Sequence, residues 1–151
     1  MRALLQRVSR AAVRVEAETI ASIDQGLLVL LGVGHADDDA TTAALARRIT
    51  ELRIFADEAG RTNRSILDVG GAVLVVSQFT LFADTSRGRR PGFTDAAPPD
   101  LADRLYQRFA DELRAAGVAD VQTGSFGTEM AVELVNDGPF TIWLDTAGTA
   151  T

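Results

Sequence analysis

Hydrophobic and polar residues alternate along the first part of the chain, the pattern of β-strands with one buried face. The alternation predicts strands at residues 3–15 and 19–23, joined by a turn at residues 16–18. A third strand is predicted from Gly26, where the run GLLVLLGV is apolar on both faces. The N-terminal part of the chain is therefore expected to form three strands.

Two later segments show the three-to-four-residue spacing of amphipathic helices. The first follows the acidic run 37–39, which favours a helix N-terminus, and its apolar stripe consists of Leu45, Ile49 and Leu52. The second begins after Pro98 and ends at Gly117. Its stripe consists of Leu101, Leu105, Phe109 and Leu113. Both stripes are predicted to pack on the sheet as core and not to bind a cofactor.

Strands fill most of the remaining sequence. The segment AVLVVSQFTL predicts a buried strand whose C-terminal end carries Ser77 to Thr80. Three more strands are expected at residues 118–125, 129–135 and 140–144. These elements predict an α+β fold of mostly antiparallel β-sheets packed in layers with two helices.

The length and composition set the domain organisation. The chain has 151 residues, of which 46% are hydrophobic, enough for one buried core and too few for two ordinary domains. A single domain is expected at residues 1–145, with residues 146–151 as a flexible tail. No internal repeat, linker or low-complexity block interrupts it.

Two absences narrow the chemistry and the location. The chain contains no cysteine, which excludes disulfides, thiolate nucleophiles and Cys-ligated metal sites. Its longest apolar run, residues 26–33, is far shorter than the roughly 18 residues of a membrane span, and the N-terminus lacks the apolar core of a signal peptide. We expect a cytoplasmic protein without membrane contact.

The charge distribution leaves room for a small contact with nucleic acid only. A net charge of −6 argues against a broad nucleic-acid footprint. The tightest basic cluster comprises Arg87, Arg89 and Arg90 in the Gly- and Pro-rich loop TSRGRRPGF. This cluster is either a solvated loop or a local phosphate contact.

The usual catalytic side chains are scarce. His35 is the only histidine, with no second histidine or cysteine to share a metal, and we expect it to be a surface loop residue. No metal and no cofactor are therefore expected. Ser77 and Thr80 carry hydroxyls, but the only histidine that could act as their base is His35. The backbone N–H groups of Phe79 and Thr80, at the strand end, are better candidates as oxyanion donors. Activation of the nucleophile would then come from the substrate.

The pair Gly138-Pro139 in NDGPFT precedes the last predicted strand. The glycine accepts backbone angles that other residues avoid, and the proline lowers the cost of a cis peptide bond to about 0.5–1 kcal/mol. The pair forms either an ordinary trans turn or a cis bond that directs two carbonyl oxygens to one side.

Several segments occur together in a recognisable order, namely LLQRVSRA, GLLVLLGV, RIFAD, VLVVSQFTLFADT, RRPGF, QTGSFGTEM and NDGPFT. In order and spacing they resemble the D-aminoacyl-tRNA deacylases, the D-Tyr-tRNA deacylase family. The resemblance implies a homodimeric esterase, with active sites at the subunit interface, that removes D-amino acids, and glycine mischarged on tRNA-Ala, from the terminal adenosine at the 3′ end of tRNA.

The resemblance also implies roles for single residues. Lining the scissile ester are Ser77, Gln78, Phe79 and Thr80, with backbone N–H groups as the oxyanion hole and Thr80 as the residue formerly favoured as nucleophile. Chiral selection falls to Gly138 and Pro139, which enter the partner's active site and leave no room for an L side chain. The remaining roles are bracing of the Gly-Pro loop by Arg7, cradling of the terminal adenine by Phe126 and Met130, and tRNA phosphate contacts by Arg87, Arg89 and Arg90.

One position departs from the pattern, because Phe140 stands where the family usually has valine. Related deacylases of animals carry a different strand motif and a trans Gly-Pro bond, and SQFTL favours the other group. A hypothesis of a different class is a non-catalytic nucleic-acid-binding module on the same fold, since a fold alone does not fix a function. The intact SQFT and Gly-Pro segments favour the enzyme.

Overall fold

A six-stranded mixed β-sheet forms the centre of the molecule, and the computed structural model describes residues 1–148. The strands of this part are β1 (Arg2–Val15), β2 (Glu18–Ile23), β3 (Gly26–Gly32), β4 (Phe55–Ala56), β5 (Thr62–Arg64), β6 (Ala72–Ser77), β7 (Val121–Thr123) and β8 (Ala131–Asp145). The helices are α1 (Asp39–Glu51), α2 (Ile66–Val69) and α3 (Pro99–Ala115), with 3-10 turns at Phe79–Phe82 and Thr146–Gly148. Strands β4 and β5 pair with each other outside the main sheet.

Strand β1 organises the sheet because both of its edges are paired. One edge runs antiparallel to β8 over nearly its whole length, and the other is divided between β3, at residues 2–8, and β2, at residues 11–15. Strand β3 then pairs parallel with β6, and β6 pairs parallel with β7. The α+β fold with two main helices is confirmed, and the parallel pairs β3–β6 and β6–β7 make its sheet mixed.

The sheet has a hydrophobic cluster on each face. Helices α1 and α3 cover one face with side chains that are almost fully buried, among them Leu45, Ile49, Leu105, Phe109 and Leu113. The opposite face encloses a smaller cluster that includes Val8, Val13, Ile23, Leu28 and Leu74. Burial on both faces explains why β3 and β6 are continuous apolar runs in the sequence.

The ends of the two main helices follow the sequence signals. Asp38 caps α1 by accepting hydrogen bonds from the backbone N–H and the hydroxyl of Thr41, and these bonds hold the pKa of Asp38 below its ordinary value. Helix α3 has Pro99 in its first turn, and the chain leaves it at Gly117 with a φ of +107°. A left-handed residue after a helix end is the usual role of glycine there.

Three strand predictions need correction. The expected strand 118–125 is shorter, because only Val121–Thr123 pairs with β6. The separate strands expected at residues 129–135 and 140–144 form one continuous strand, β8, because β1 pairs with both halves.

Two further observations concern the C-terminal segment and the helices. In the segment expected to be a flexible tail, residues 146–148 form a 3-10 turn, and residues 149–151 lie outside the described residues. No helix among residues 1–148 is long and apolar enough to cross a membrane.

Candidate active site

A cavity of about 760 Å³ opens at the C-terminal end of β6. This volume lies in the range of about 300–1,000 Å³ that is typical of small-molecule sites. Its wall contains Ser77, Gln78 and Phe79 from the end of β6, and Phe126 and Met130 from the segment between β7 and β8. The structure thus brings three of the four residues predicted to line the ester, all except Thr80, together with the two predicted to hold the adenine.

The chain turns sharply where β6 ends. The N–H of Gln78 donates to the carbonyl of Leu31 at 2.8 Å, and the following residues form a 3-10 turn. The strand predicted to continue through SQFTL therefore ends at Ser77. The N–H groups of Phe79 and Thr80 begin the 3-10 turn, and neither has an acceptor among residues 1–148. Two adjacent unpaired donors beside a cavity can stabilise a developing oxyanion.

Thr80 is placed less favourably for nucleophilic attack than for this backbone role. Its side chain is exposed and does not line the cavity, and its hydroxyl accepts a hydrogen bond from Nε2 of Gln78. Within the described part of the chain, the hydroxyl has no hydrogen bond to a histidine or a carboxylate that would act as a base.

Tyr106 of α3 supports the cavity wall at Phe126. Its side chain is 1% exposed, and its hydroxyl donates to the carbonyl of Val75 at 2.9 Å, with Gly124 at 3.4 Å. Its ring lies 6.0 Å from the ring of Phe126, centroid to centroid. Burial raises the pKa of Tyr106 to about 12, so the hydroxyl stays protonated as a donor at neutral pH.

Residues 137–140 form a bulge in β8. Val8 pairs with Asn136 and Gln6 pairs with Thr141, so four residues of β8 lie opposite Arg7 alone. The Gly138–Pro139 peptide bond within this bulge is cis, and both residues are exposed. An extra-residue bulge on a paired strand moves its backbone out of the ladder.

Arg7 fixes the bulge from the opposite strand. Its Nε donates to the carbonyl of Asp137 at 3.1 Å and lies 3.3 Å from the Asp137 carboxylate. Its Nη1 donates to the carbonyl of Ile54 at 2.6 Å, and the guanidinium lies 4.9 Å from the centre of the Phe140 ring. Phe140, the position that departs from the family pattern, therefore provides a cation–π contact to the bracing arginine.

Asn136 closes the base of the bulge, a role that the sequence analysis did not assign. Its Nδ2 donates to the carbonyl of Arg7 at 2.9 Å and to that of Phe140 at 3.0 Å. These bonds replace ladder bonds that the bulge interrupts. A side chain that bonds the chain on both sides of the Gly-Pro pair limits its movement.

Gly138 has no room for a side chain. Its φ is +129°, and a β-carbon built on it would lie 2.8 Å from Nη2 of Arg7. The arginine is itself fixed by bonds to Ile54 and Asp137. Glycine is therefore required both by the backbone conformation and by the close approach of the brace.

The structure does not bring the Gly-Pro pair to the cavity of the same chain. Neither Gly138 nor Pro139 lines the cavity that contains Ser77 and Phe79. The pair is exposed at one place on the chain, and the strand end with its free N–H groups lies at another. The two predicted halves of the site are separate within a single chain.

The basic cluster lies on a loop beside the cavity. Backbone bonds of 2.7 and 2.8 Å between Asp84 and Gly92 close the loop, and Arg87, Arg89 and Arg90 are exposed on it. His35, expected to be a surface loop residue, is exposed, and its Nε2 lies 2.7 Å from the carbonyl of Thr94 just beyond this loop. Among residues 1–148, no group of three or more potential metal-ligating side chains occurs.

The sequence matches one family model and, along nearly its whole length, single proteins that carry a deacylase name. The model of the family described as D-Tyr-tRNA(Tyr) deacylase matches residues 4–145. The D-aminoacyl-tRNA deacylase of Thermomicrobium roseum is 60% identical over 147 residues, which cover 97% of this chain and 95% of that protein. The D-aminoacyl-tRNA deacylase of Dinoroseobacter shibae is 61% identical over 145 residues, covering 96% of this chain and 99% of the relative.

Solved structures agree with this fold. A structure described as the c-Myc DNA unwinding element binding protein matches with a TM-score of 0.92 and 38% identity, covering 97% of this chain and 99% of that one. A probable eukaryotic D-amino acid tRNA deacylase matches with a TM-score of 0.84, covering 95% of this chain and 97% of that one. At 18% identity the second likeness shows the fold alone.

Proposed function

The chain belongs to the D-Tyr-tRNA(Tyr) deacylase family, and we propose that it hydrolyses the ester of D-aminoacyl-tRNA in the cavity at the end of β6. The products are the free D-amino acid and the tRNA. The observation that carries this assignment is the pair of unpaired N–H groups at Phe79 and Thr80, beside a cavity whose wall holds Phe79, Phe126 and Met130.

The chemistry follows from what these groups can do. Attack on the ester carbonyl places negative charge on its oxygen, and each well-placed N–H donor typically contributes about 3–4 kcal/mol to that transition state. The family resemblance assigns the activation to the 2′-hydroxyl of the terminal ribose. The protein then contributes position and electrostatics, because it holds the ester where the donors are.

The terminal adenosine is assigned to the wall formed by Phe126 and Met130. Both side chains are half-buried at the cavity, so they offer an apolar surface without being sealed in the core. Tyr106 supports this wall from below through its contact with Phe126 and its bond to Val75. Single-stranded RNA is commonly bound through bases that stack on such side chains.

Chiral selection is assigned to Gly138 and Pro139 of a second copy of the chain. The pair is exposed and held by Arg7 and Asn136, yet it is absent from the cavity of its own protomer. A homodimer that inserts each pair into the other cavity accounts for an exposed segment that is nevertheless fixed. The carbonyl groups of the pair would then capture the α-amino group and exclude an L side chain.

Three finer points complete the proposal. Glycine has no side chain to exclude, so glycine attached to tRNA-Ala is also a substrate of this arrangement. The exposed guanidinium groups of Arg87, Arg89 and Arg90 contact tRNA phosphates beside the cavity. The protein acts in the cytoplasm, where its substrate is found.

The first experiment compares release of labelled tyrosine from D-Tyr-tRNA and L-Tyr-tRNA, with the protein well below the substrate concentration. Turnover of the D-ester alone supports both the reaction and the chiral selection. Turnover of both esters contradicts the proposed exclusion by Gly138 and Pro139. Sedimentation of the same sample tests the dimer, and a monomer that keeps full selectivity contradicts the insertion of a partner's pair.

A second candidate function is a nucleic-acid-binding module without catalysis. It is favoured by the likeness, at 38% identity, to a protein described as binding a DNA unwinding element. The unpaired N–H donors at Phe79 and Thr80 favour the esterase, since binding alone does not require them. Tight binding of single-stranded DNA together with no turnover of either ester would support the second candidate.

A further inference from the structure

We propose that Phe79 and Phe93 form a stacking site for the nucleobase that precedes the terminal adenosine of the substrate RNA. The proposal rests on the proposed function and extends it by one nucleotide. The two rings meet edge to face, with centroids 5.0 Å apart and planes inclined by 68°. Both line the same cavity as Phe126 and Met130.

The exposure of the two rings is the first argument. Phe79 is 55% exposed and Phe93 is 36% exposed, while the other phenylalanines of the described part are buried or half-buried. An edge-to-face pair leaves ring faces uncovered, and every nucleobase has a π-face that can cover one. The pair therefore has the form of a stacking platform that does not distinguish strongly among bases.

The attachment of Phe93 is the second argument. It follows Gly92, whose backbone bonds to Asp84 close the loop that carries Arg87 to Arg90. On its other side, the carbonyl of Thr94 lies 2.7 Å from Nε2 of His35. The aromatic ring and the basic loop are thus parts of one segment that is fixed at both ends.

The charge of that segment identifies the ligand. Arg87, Arg89 and Arg90 have no ion-pair or hydrogen-bond partner among residues 1–148, although the whole chain carries a net charge of −6. Unpaired guanidinium groups next to exposed aromatic rings suit a strand that offers phosphates and bases together. An RNA whose terminal adenine lies at Phe126 meets Phe79 and Phe93 on the wall of the same cavity.

The test compares two small substrates, the D-tyrosyl ester of adenosine and that of the dinucleotide cytidylyl-adenosine. In the unmodified protein we expect the added nucleotide to raise kcat/KM by about 5- to 150-fold, the range that corresponds to 1–3 kcal/mol per stacked base. Phe93→Ala should lose most of this gain. Phe93→Tyr, which keeps the ring, should retain it. A dinucleotide ester with an abasic first residue should behave in the unmodified protein as the normal dinucleotide does in Phe93→Ala.

A binding measurement tests stacking without hydrolysis. The probe is an RNA fragment without an attached amino acid that ends in 2-aminopurine followed by adenosine. Its fluorescence should be quenched by the unmodified protein and by Phe93→Tyr, but not by Phe93→Ala. If this quenching occurs while neither ester is cleaved, the stacking site stands and the proposed hydrolysis fails. Equal gains from the added nucleotide in all three proteins, or a Phe93→Ala protein that changes its oligomeric state, would overturn the stacking site.

Discussion

Gly138→Ala is the substitution for which the structure predicts the clearest loss of activity. The φ of +129° at this position is sparsely populated by residues other than glycine, which costs about 1–3 kcal/mol. The new methyl group would lie 2.8 Å from Nη2 of Arg7, well inside ordinary van der Waals contact. Moving the guanidinium away weakens a charge-assisted bond to Ile54 or Asp137, worth about 1.5–3 kcal/mol. Together the two effects amount to about 2.5–6 kcal/mol at the bulge.

The same displacement is expected to lower catalysis. A displacement of about 1 Å in a positioning group can lower a rate about 100-fold, so we expect kcat/KM for D-Tyr-tRNA to fall by at least that factor. The assay is initial-rate deacylation of D-Tyr-tRNA and L-Tyr-tRNA, with thermal unfolding of each protein measured in parallel. Any remaining activity should show weaker preference for the D-ester, because the displaced pair excludes an L side chain less well.

Gly60→Ala is the matched control. Gly60 also has a positive φ, +75°, but no atom lies within 4 Å of a β-carbon built on it, and it lies in the turn between β4 and β5. This substitution carries the backbone cost without the contact with Arg7, so it should lower stability and keep deacylation. A Gly138→Ala protein with unchanged rate and selectivity would refute the reasoning, and so would an equal loss of activity in Gly60→Ala.

Three further predictions concern the cavity. Tyr106→Phe should lower the stability by about 0.5–1.5 kcal/mol through loss of one buried hydrogen bond. Burial raises the pKa of Tyr106 from 10 to about 12, so ionisation of the phenol does not affect the stability below pH 10. As the pH rises from 10 through 12, the stability should fall by about 3 kcal/mol, and Tyr106→Phe should lack this step in thermal unfolding. Thr80→Val should lower kcat for D-Tyr-tRNA by less than about tenfold, since the N–H donor remains; a loss of about 1,000-fold or more would identify the hydroxyl as nucleophile. Phe126→Ala should raise KM more than it lowers kcat in the same assay, and the opposite split would contradict adenine binding.

The sequence predicted the fold where local patterns decide it. The stripes of α1 and α3 and the alternation in β1 each depend on burial of one face, which periodicity records. It did not predict that β3 and β6 pair in parallel, because strand order depends on contacts between residues far apart in sequence, such as Gly26 and Ala72. It also divided β8 at Gly138-Pro139, since proline has no N–H for a ladder bond. The strand continues there because Asn136 and Arg7 provide the missing partners.

In the candidate site as well, local sequence patterns identified some residues, whereas residues that depend on tertiary contacts were missed. Motifs identified the strand end and the Gly-Pro pair, because both are contiguous in sequence. The carbonyl of Ile54, the hydroxyl of Tyr106 and the ring of Phe93 were not identified, because each reaches the site only through tertiary packing. His35 was predicted as a surface residue, and its bond to Thr94 has no signal in the sequence at all.

When the catalytic donors are backbone N–H groups, substitutions of the residues that carry them are expected to affect activity less than substitutions of the residues that position the substrate. The N–H groups of Phe79 and Thr80 remain after substitution of either residue by anything except proline, so a scan of side chains cannot remove them. What substitution can remove is the bracing of the Gly-Pro pair, such as the bonds of Arg7 to Ile54 and Asp137. Lysine in place of that arginine would present a point charge where a planar fork now bonds two separate carbonyls, so a conservative change of charge is not conservative here. We therefore expect the substitutions that most reduce activity to include residues that do not line the cavity, such as Arg7.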